Sequence, residues 1–578
     1  MYTGGLFVKV RSCGVFLKFF VVVLCACLLM GLVPVLGSPS IGQRPSPPPS
    51  IEYSDEVVHI RTAVELAGIG GSGYVYKTYV LDNDIDLVDE WVPIMDFRGT
   101  FDGQGHSINN LYVLKSSNRQ YAGLFGSVYD NVAIKNVGVN INSKGITAYN
   151  FYSFNAAYDL DRAEYYVVAG GLIGHSSSVT IENCYVTGDI TATAKGERIA
   201  VAGGLVGYCS NVTIKNCYIT SDVTASSMRA YAGGSIGYGY NAYGSTDVAT
   251  IKDSYATGNI LATSATYDAR PTVAEIRGYP RGNSRAPADD TFAGGLVGYH
   301  RYNVFVENCY TAGNITATAK SDGAFAGGLV GSSYGVTVAN SYATGGIIAK
   351  TKSTACAGGL VGNGDRVTVM NSYATGGIIV SSDSYTIAGM YSAAACGGGL
   401  IGRGDNITVM NSYVTCDVTV TATSISARAG GLIGWGSIAV TAVNCYAIGG
   451  VIATITTNRD SSFVGGLVGY MVDDVVVSCY SLSTQKITGG KVNEVGTVLT
   501  SEEMKNQRSF TGWDFKTVWT IDPNINEGYP YLTMNSSIES TPNDTWGLFG
   551  SFWFFILFVV VVLGVVGVVY VFLEKKIR

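Results

Sequence analysis

One pentapeptide decides what this chain can fold into. GGLVG or GGLIG begins at Gly170, Gly203, Gly294, Gly327, Gly358, Gly398, Gly430 and Gly465, with GGSIG at Gly233 and a degenerate AGLFG at residues 122–126. Successive starts lie about 31 residues apart with one double interval, and a fixed period of that length is the signature of a solenoid. A unit that short cannot bury its own apolar face, so neighbouring units must stack.

A second signature follows each pentapeptide: VTIENCYVTGDI from Val179, VTIKNCYITSDV from Val212, VFVENCYTAGNI from Val304 and VTVANSYATGGI from Val336. In it Val179 and Ile181 are apolar while Thr180 and Glu182 are polar, a period-two alternation that marks a half-buried strand. Each unit therefore reads as three short strands, at the glycines, at VTIxN and at the threonine-rich segment, in residue types suited to a pleated surface. Stacked in parallel they predict an all-β fold, a parallel β-helix of about ten rungs and about 45–50 Å. The glycines are expected to supply positive φ at corners and close backbone approach. No helix follows them to cap a phosphate, which excludes a nucleotide-binding loop.

Asn183, Asn216, Asn308, Asn340, Asn371, Asn411 and Asn444, with Asp253 once, occupy one register and predict a structural asparagine ladder. Tyr185, Tyr218, Tyr255, Tyr310, Tyr342, Tyr373, Tyr413, Tyr446 and Tyr480 form a second register. The corner at the preceding residue breaks the alternation and leaves their direction open. An inward, packing ladder is the expectation, and an outward carbohydrate-stacking surface the alternative.

Both ends carry apolar runs outside this pattern. Lys9, Arg11 and Lys18 precede the apolar residues 19–36, so residues 1–37 read as a signal peptide cleaved after Gly37, with an uncleaved anchor as the other reading. Residues 38–50 are a Pro/Ser-rich spacer. Residues 552–573 carry no charge, span about 33 Å as a helix, and are followed by Lys575, Lys576 and Arg578, which predicts a membrane helix within 546–573 and a cytoplasmic tail, 574–578. The chain between the two ends is then outside the cell: leader coils at 51–120, repeats at 121–484, and a closing segment and stalk at 485–545. A formal net charge of −6 gives no basic footprint for nucleic acid.

The repeats resemble proteins bearing the GLUG motif, over about residues 122–480. The flanks YVLDNDIDL, WVPIMDFRGTFDGQGHSINNLYV and WDFKTVWTIDPNINEGYPYL look like the leader and closing segments of such surface proteins. The resemblance implies a right-handed β-helix, an adhesin-like role, and in some relatives an adjoining metallopeptidase. A zinc peptidase needs two histidines one helical turn apart beside a glutamate. The histidines here, His59, His106, His175 and His300, lack that spacing. His106 near Asp102 reads as part of a structural turn rather than a catalytic pair.

Polysaccharide lyases and epimerases on β-helices are the enzymatic rival. They need clustered acids with a base on one face, whereas the equivalent outward positions here hold Glu182, Lys215, Lys252, Glu307, Ala339, Met370 and Met410. Asp82, Asp84 and Asp86 imitate the start of a calcium loop, but Leu87 stands where glycine is needed and Pro93 where the bidentate glutamate would be. No catalytic, metal or cofactor residue is assigned.

Of the twelve cysteines, Cys184, Cys217, Cys309, Cys445 and Cys479 share a register filled elsewhere by Ser254, Ser341, Ser372 and Ser412, which marks a small packing position. Cys356 and Cys396 precede successive pentapeptides and could meet as a disulfide at the rung spacing. Asn211, Asn314, Asn406, Asn535 and Asn543 lie in glycosylation sequons. Insertions at 143–167, 261–291 and near 381–395 fall at one joint of the repeat, so their residues, among them Tyr149, Phe151, Tyr152, Tyr267, Arg270, Tyr279 and Arg281, are candidate interaction loops.

The reading is a single-pass type I surface protein whose β-helix displays loops for adhesion to an extracellular protein or glycan. A polysaccharide-active enzyme and a passive envelope component are the alternatives.

Overall fold

The computed structural model describes residues 52–70, 75–115, 120–150, 166–195, 199–240, 248–264, 290–320, 322–383, 394–423, 426–456, 462–472 and 474–533. The expected signal peptide, spacer, membrane helix and tail lie outside the described residues, as do Asn535, Asn543, Phe151, Tyr152, Tyr267, Arg270, Tyr279 and Arg281. Among the described residues no helix is long and apolar enough to cross a membrane.

One rung shows the construction. The strand Ala324–Gly327 turns at Gly328 and Leu329 into Val330–Ser333 and Val336–Ala339, rounds a corner at Asn340, and continues as Tyr342–Ala343 and Ile347–Thr351. Each strand then pairs in parallel, in register, with its equivalent on the next rung: Ala324 with Ala355, Val336 with Val367, Tyr342 with Tyr373, Ile347 with Ile378. The result is a parallel β-helix with a glycine sheet, a valine sheet and a tyrosine sheet, the first of 11 strands and the second of 19. The last strand of the glycine sheet, Lys491–Val492, carries no pentapeptide and extends the stack beyond the sequence repeat. The leader continues the same coil, with Glu52–Ile60, Val75–Leu81 and Gly99–Asp102 in the valine sheet.

The core is a set of one-residue columns. Leu172, Leu205, Leu296, Leu329, Leu360, Leu400, Leu432 and Leu467 from the pentapeptides are wholly buried, as are Ile181, Ile214, Ile251, Val306, Val338, Val369 and Val409 from the valine strands. The cysteine–serine register also points inward, and its interchange has a hydrogen-bond reason. Cys184 Sγ donates to Glu182 O at 3.2 Å, and Ser254 and Ser341 Oγ donate to the equivalent carbonyls at 2.6 and 2.7 Å. A small side chain carrying one donor fits this position, and either residue satisfies it.

Two expectations about the backbone are corrected. The glycines of the GGLVG, GGLIG and GGSIG copies do not supply positive φ. The left-handed corners are made by asparagine, with φ of 54° at Asn183, 52° at Asn216, 51° at Asn340 and 46° at Asn411. The glycines serve close approach instead, because a Cβ on Gly328 would overlap the carbonyl oxygen of Gly359 on the next rung. The insertions are also shorter than expected. The strand Gly138–Asn150 takes up most of the first one's start, and Tyr149 pairs with Thr193 and is 1 % exposed, so it belongs to the rod and not to a loop. Likewise Ile260–Ser264 and Ile378–Ser382 run regularly into the second and third.

Candidate binding face

The asparagine corner sets the direction of the tyrosines. A residue in the left-handed region reverses the pleat, so Cys184 and Val186 point inward and Tyr185 between them points out. The inward ladder is thereby overturned. The nine tyrosines stand on the outer surface of the tyrosine sheet, and those from Tyr185 to Tyr373 are partly exposed. Neighbouring rings stack with centroids 4.9 Å apart for Tyr185 and Tyr218, 4.7 Å for Tyr255 and Tyr310, and 4.8 Å for Tyr342 and Tyr373, within 10° of parallel. Rung pitch imposes this spacing, and each such aromatic pair contributes about 0.5–1.5 kcal/mol beyond its burial. Burial, and then the neighbouring Tyr255 and Tyr342, push the Tyr310 phenol up to about 12.

Beside it runs the asparagine ladder, in which each side chain donates to the one before. Asn183 donates to Asn136 at 2.8 Å, Asn216 to Asn183 at 2.7 Å, Asn340 to Asn308 at 3.2 Å and Asn444 to Asn411 at 3.2 Å. Beyond the tyrosines a further polar row closes the next corner, where Asn314 accepts from Gly346 N and Asp417 from Gly450 N.

Residues 500–533 fold back over the end of the face. Phe510, Trp513, Trp519 and Tyr529 bury the last three tyrosines, Tyr413, Tyr446 and Tyr480. Tyr446 Oη donates to Pro530 O at 2.6 Å and accepts from Asn526 Nδ2 at 2.7 Å, while Trp513 Nε1 donates to Ser478 O at 2.9 Å. Where this segment meets the tyrosine sheet it leaves a cleft of about 740 Å³, whose lining includes Thr415, Thr419, Ile448, Ile452, Gln485 and Glu527. A second cleft of about 490 Å³ lies at the opposite end, against Asn136, Asn183 and Tyr185.

The other candidate residues disperse into structural contacts. His106 pairs with Asp84 at 3.3 Å and not with Asp102, whose carboxylate takes Lys135, Asn136 and Gln104 N. Asp82 holds His59 and Arg61, and Asp86 accepts from Asn109, so each of the three leader aspartates serves its own protein partners. The alternating charges on the valine sheet become cross-rung pairs, Lys215 with Glu182 at 3.6 Å and Lys252 with Glu307 at 2.8 Å. Among the sequons, Asn314 is exposed beside the tyrosine face, whereas the Asn406 amide donates to Asp365 at 3.2 Å. Asn211 stands opposite Ser178.

Cys356 and Cys396 are brought together, in register on adjacent rungs, fully buried and as free thiols. Arg428 follows them in the same column, with its guanidinium 3.7 Å from the ring centre of Trp435 and Arg403 4.2 Å from that same centre. Burial opposes ionisation of Cys396, but the hydrogen bond with Cys356 and the two arginines bring its thiol below the usual value.

Two buried groups give the rod a pH dependence. His300 has Nδ1 2.7 Å from Tyr302 O and an unpartnered Nε2, and burial holds it down to about 4. The folded chain then binds fewer protons than the unfolded chain between about pH 4 and 6.5, so His300 stabilises fully above that window and loses about 3 kcal/mol as pH falls through it. Asp290, pushed up to about 7 by burial, acts oppositely: its contribution is complete below about pH 4 and is lost as pH rises towards 7. The urea midpoint at pH 7.5, taken relative to that at pH 4.5, should therefore be lower in His300→Gln than in the wild type and higher in Asp290→Asn. Unchanged differences would contradict both assignments.

Residues 165–191 match the GLUG motif. Curated proteins yield no match to the chain. Among solved structures, a candidate immunoglobulin A1 protease from Bacteroides ovatus is 14% identical, covering 82% of this chain and 92% of its own, with a TM-score of 0.24. An IgA1 protease is 11% identical, covering 79% of this chain but 24% of its own, with a TM-score of 0.21. Neither likeness is close enough to carry those activities to this chain.

Proposed function

We propose that this chain is a surface-displayed β-helix that works by binding, with the tyrosine face as its recognition surface. The observation that supports this reading is the partly exposed row of six stacked tyrosines, Tyr185 to Tyr373, beside a hydrogen-bonded amide row. Large aromatic rings with polar tips, held rigid by the rungs, lose little entropy on binding and present a flat, neutral, preorganised surface. The apolar runs at residues 19–36 and 552–573 favour an anchored ectodomain.

The test uses the full chain expressed on cells, with adhesion to other cells, glycans and envelope material as the readout. Tyr218→Ser, Tyr310→Ser and Tyr373→Ser combined are expected to lower retention at least tenfold while the chain remains folded by its melting profile. If adhesion survives this change and is lost instead on deleting residues 265–289, recognition lies in the loops. If the full chain retains nothing, the binding reading falls and a passive envelope role stands.

A further inference from the structure

We propose that the cleft between the tyrosine sheet and the closing segment is a binding site for a neutral oligosaccharide, the end of a polyhydroxylated chain lying along the tyrosine face. This rests on the binding reading above and names its ligand class.

The lining carries the argument. Ile448, Ile452 and Leu482 supply apolar surface, and Thr415, Thr419, Thr484 and Asn526 supply hydroxyl and amide groups that can both donate and accept. A lining that combines apolar and two-way hydrogen-bonding groups matches a sugar, whose ring faces are apolar and whose edges are hydroxylated. Gln485 is nine-tenths buried in this lining. Its Nε2 donates to Gly449 O at 2.6 Å and Gly466 O at 3.2 Å, while its Oε1 has no donor. The Oε1 is sealed from solvent in this conformation, so a ligand hydroxyl completes that amide only once the side chain turns towards the cleft. Lys486 is outnumbered by Asp417 and Glu527 around the cleft, which disfavours phosphates and polyanions.

The cleft also sits where an extended ligand would end. It lies on the same sheet as the tyrosine row, at the point where the closing segment covers that row, and a smaller cleft marks the row's other end. The rim is held in an uncommon conformation, with Asn526 and Glu527 both at positive φ, 49° and 54°. Asn526 is kept there by its bonds to Tyr446 Oη and Pro530 O, so the turn is fixed by the ladder itself. A polypeptide occupant is less suited. The strands Tyr446–Ala447 and Val451–Ile455 beneath it are each paired on both sides within the sheet, so neither offers a free backbone edge for strand addition.

The test is calorimetric titration of the detergent-solubilised full chain with maltohexaose, cellohexaose and chitohexaose. At least one is expected to bind saturably. Gln485→Leu, which removes the orphan acceptor, and Thr419→Trp, which fills the cleft, should each weaken it at least tenfold, with Thr337→Ala on the valine sheet unchanged. Should Gln485→Leu fail to fold, Thr419→Trp alone decides. Binding that survives Thr419→Trp overturns the site. No binding of any hexasaccharide by a chain that still adheres to cells overturns the ligand class and leaves the binding reading standing, and adhesion then abolished by protease treatment of the target identifies a protein partner. Absence of both binding and adhesion overturns the two together.

Discussion

Gly328→Ala is expected to destabilise the rod by about 4 kcal/mol or more, whereas Gly377→Ala, further along the stack, should change stability by no more than about 0.5 kcal/mol. Both glycines look alike in sequence, as the second member of a GG pair in the repeat. The added methyl at Gly328 meets the carbonyl oxygen of Gly359 and lies 2.6 Å from the Ala343 methyl, and the Gly328 backbone is itself held in place: its N donates to Gly358 O at 3.1 Å, and its carbonyl accepts from Thr311 at 2.7 Å. Relief comes only from pushing the adjacent rungs apart. At Gly377 the methyl meets nothing within 4 Å. Because a solenoid's stability is a sum of rungs and their nearest-neighbour interfaces, opening one interface should also split the melting curve, the rungs before and after it unfolding at different temperatures. Equal midpoints for the two variants would show that rung spacing is not what the pentapeptide protects.

The same contrast marks how far local pattern reaches. Parallel stacking, three strands per unit and the inward valine and leucine columns follow from period and alternation, because each depends only on residues within one rung. The GLUG resemblance and the observed coil agree on this level. The tyrosine direction is legible too, in a neighbouring signal: the Cys184/Ser254 register accepts only small residues and therefore points inward, and Val186 does the same two positions on, so Tyr185 between them must face out. What no local pattern carries is the docking of residues 500–533. The Tyr446–Asn526 bond joins positions 80 apart, outside any repeat, and the docked segment supplies Asn526, Glu527 and Tyr529 to the wall of the 740 Å³ cleft. Tyr149 escapes sequence reading for the opposite reason, since an aromatic-rich stretch looks like a loop while its first residues still keep the strand's register.

Trp519→Ala should release the closing segment from the rod, at a cost of about 3–5 kcal/mol. The indole is wholly buried, 4.2 Å from Trp513 by ring centres and 6.1 Å from both Tyr413 and Tyr446, and it joins the segment's antiparallel strand pair to the ladder. Phe515→Ala at the edge of the same cluster, partly exposed, should cost much less. Limited proteolysis is the direct measurement: cleavage within 505–530 should accelerate in Trp519→Ala while the repeats stay resistant. Tyr446, whose phenol burial holds well above its ordinary value, should begin to titrate near the range of a free tyrosine. The same variant separates the two levels of the functional proposal. Detachment uncovers Tyr413, Tyr446 and Tyr480, lengthening the open row from six rings to nine, and at the same time removes the wall that Asn526, Glu527 and Tyr529 give the cleft. If the tyrosine row alone recognises the partner, adhesion should hold or rise. If the cleft fixes the end of the chain, hexasaccharide binding should fall with the loss of the wall, even though more aromatic surface is available.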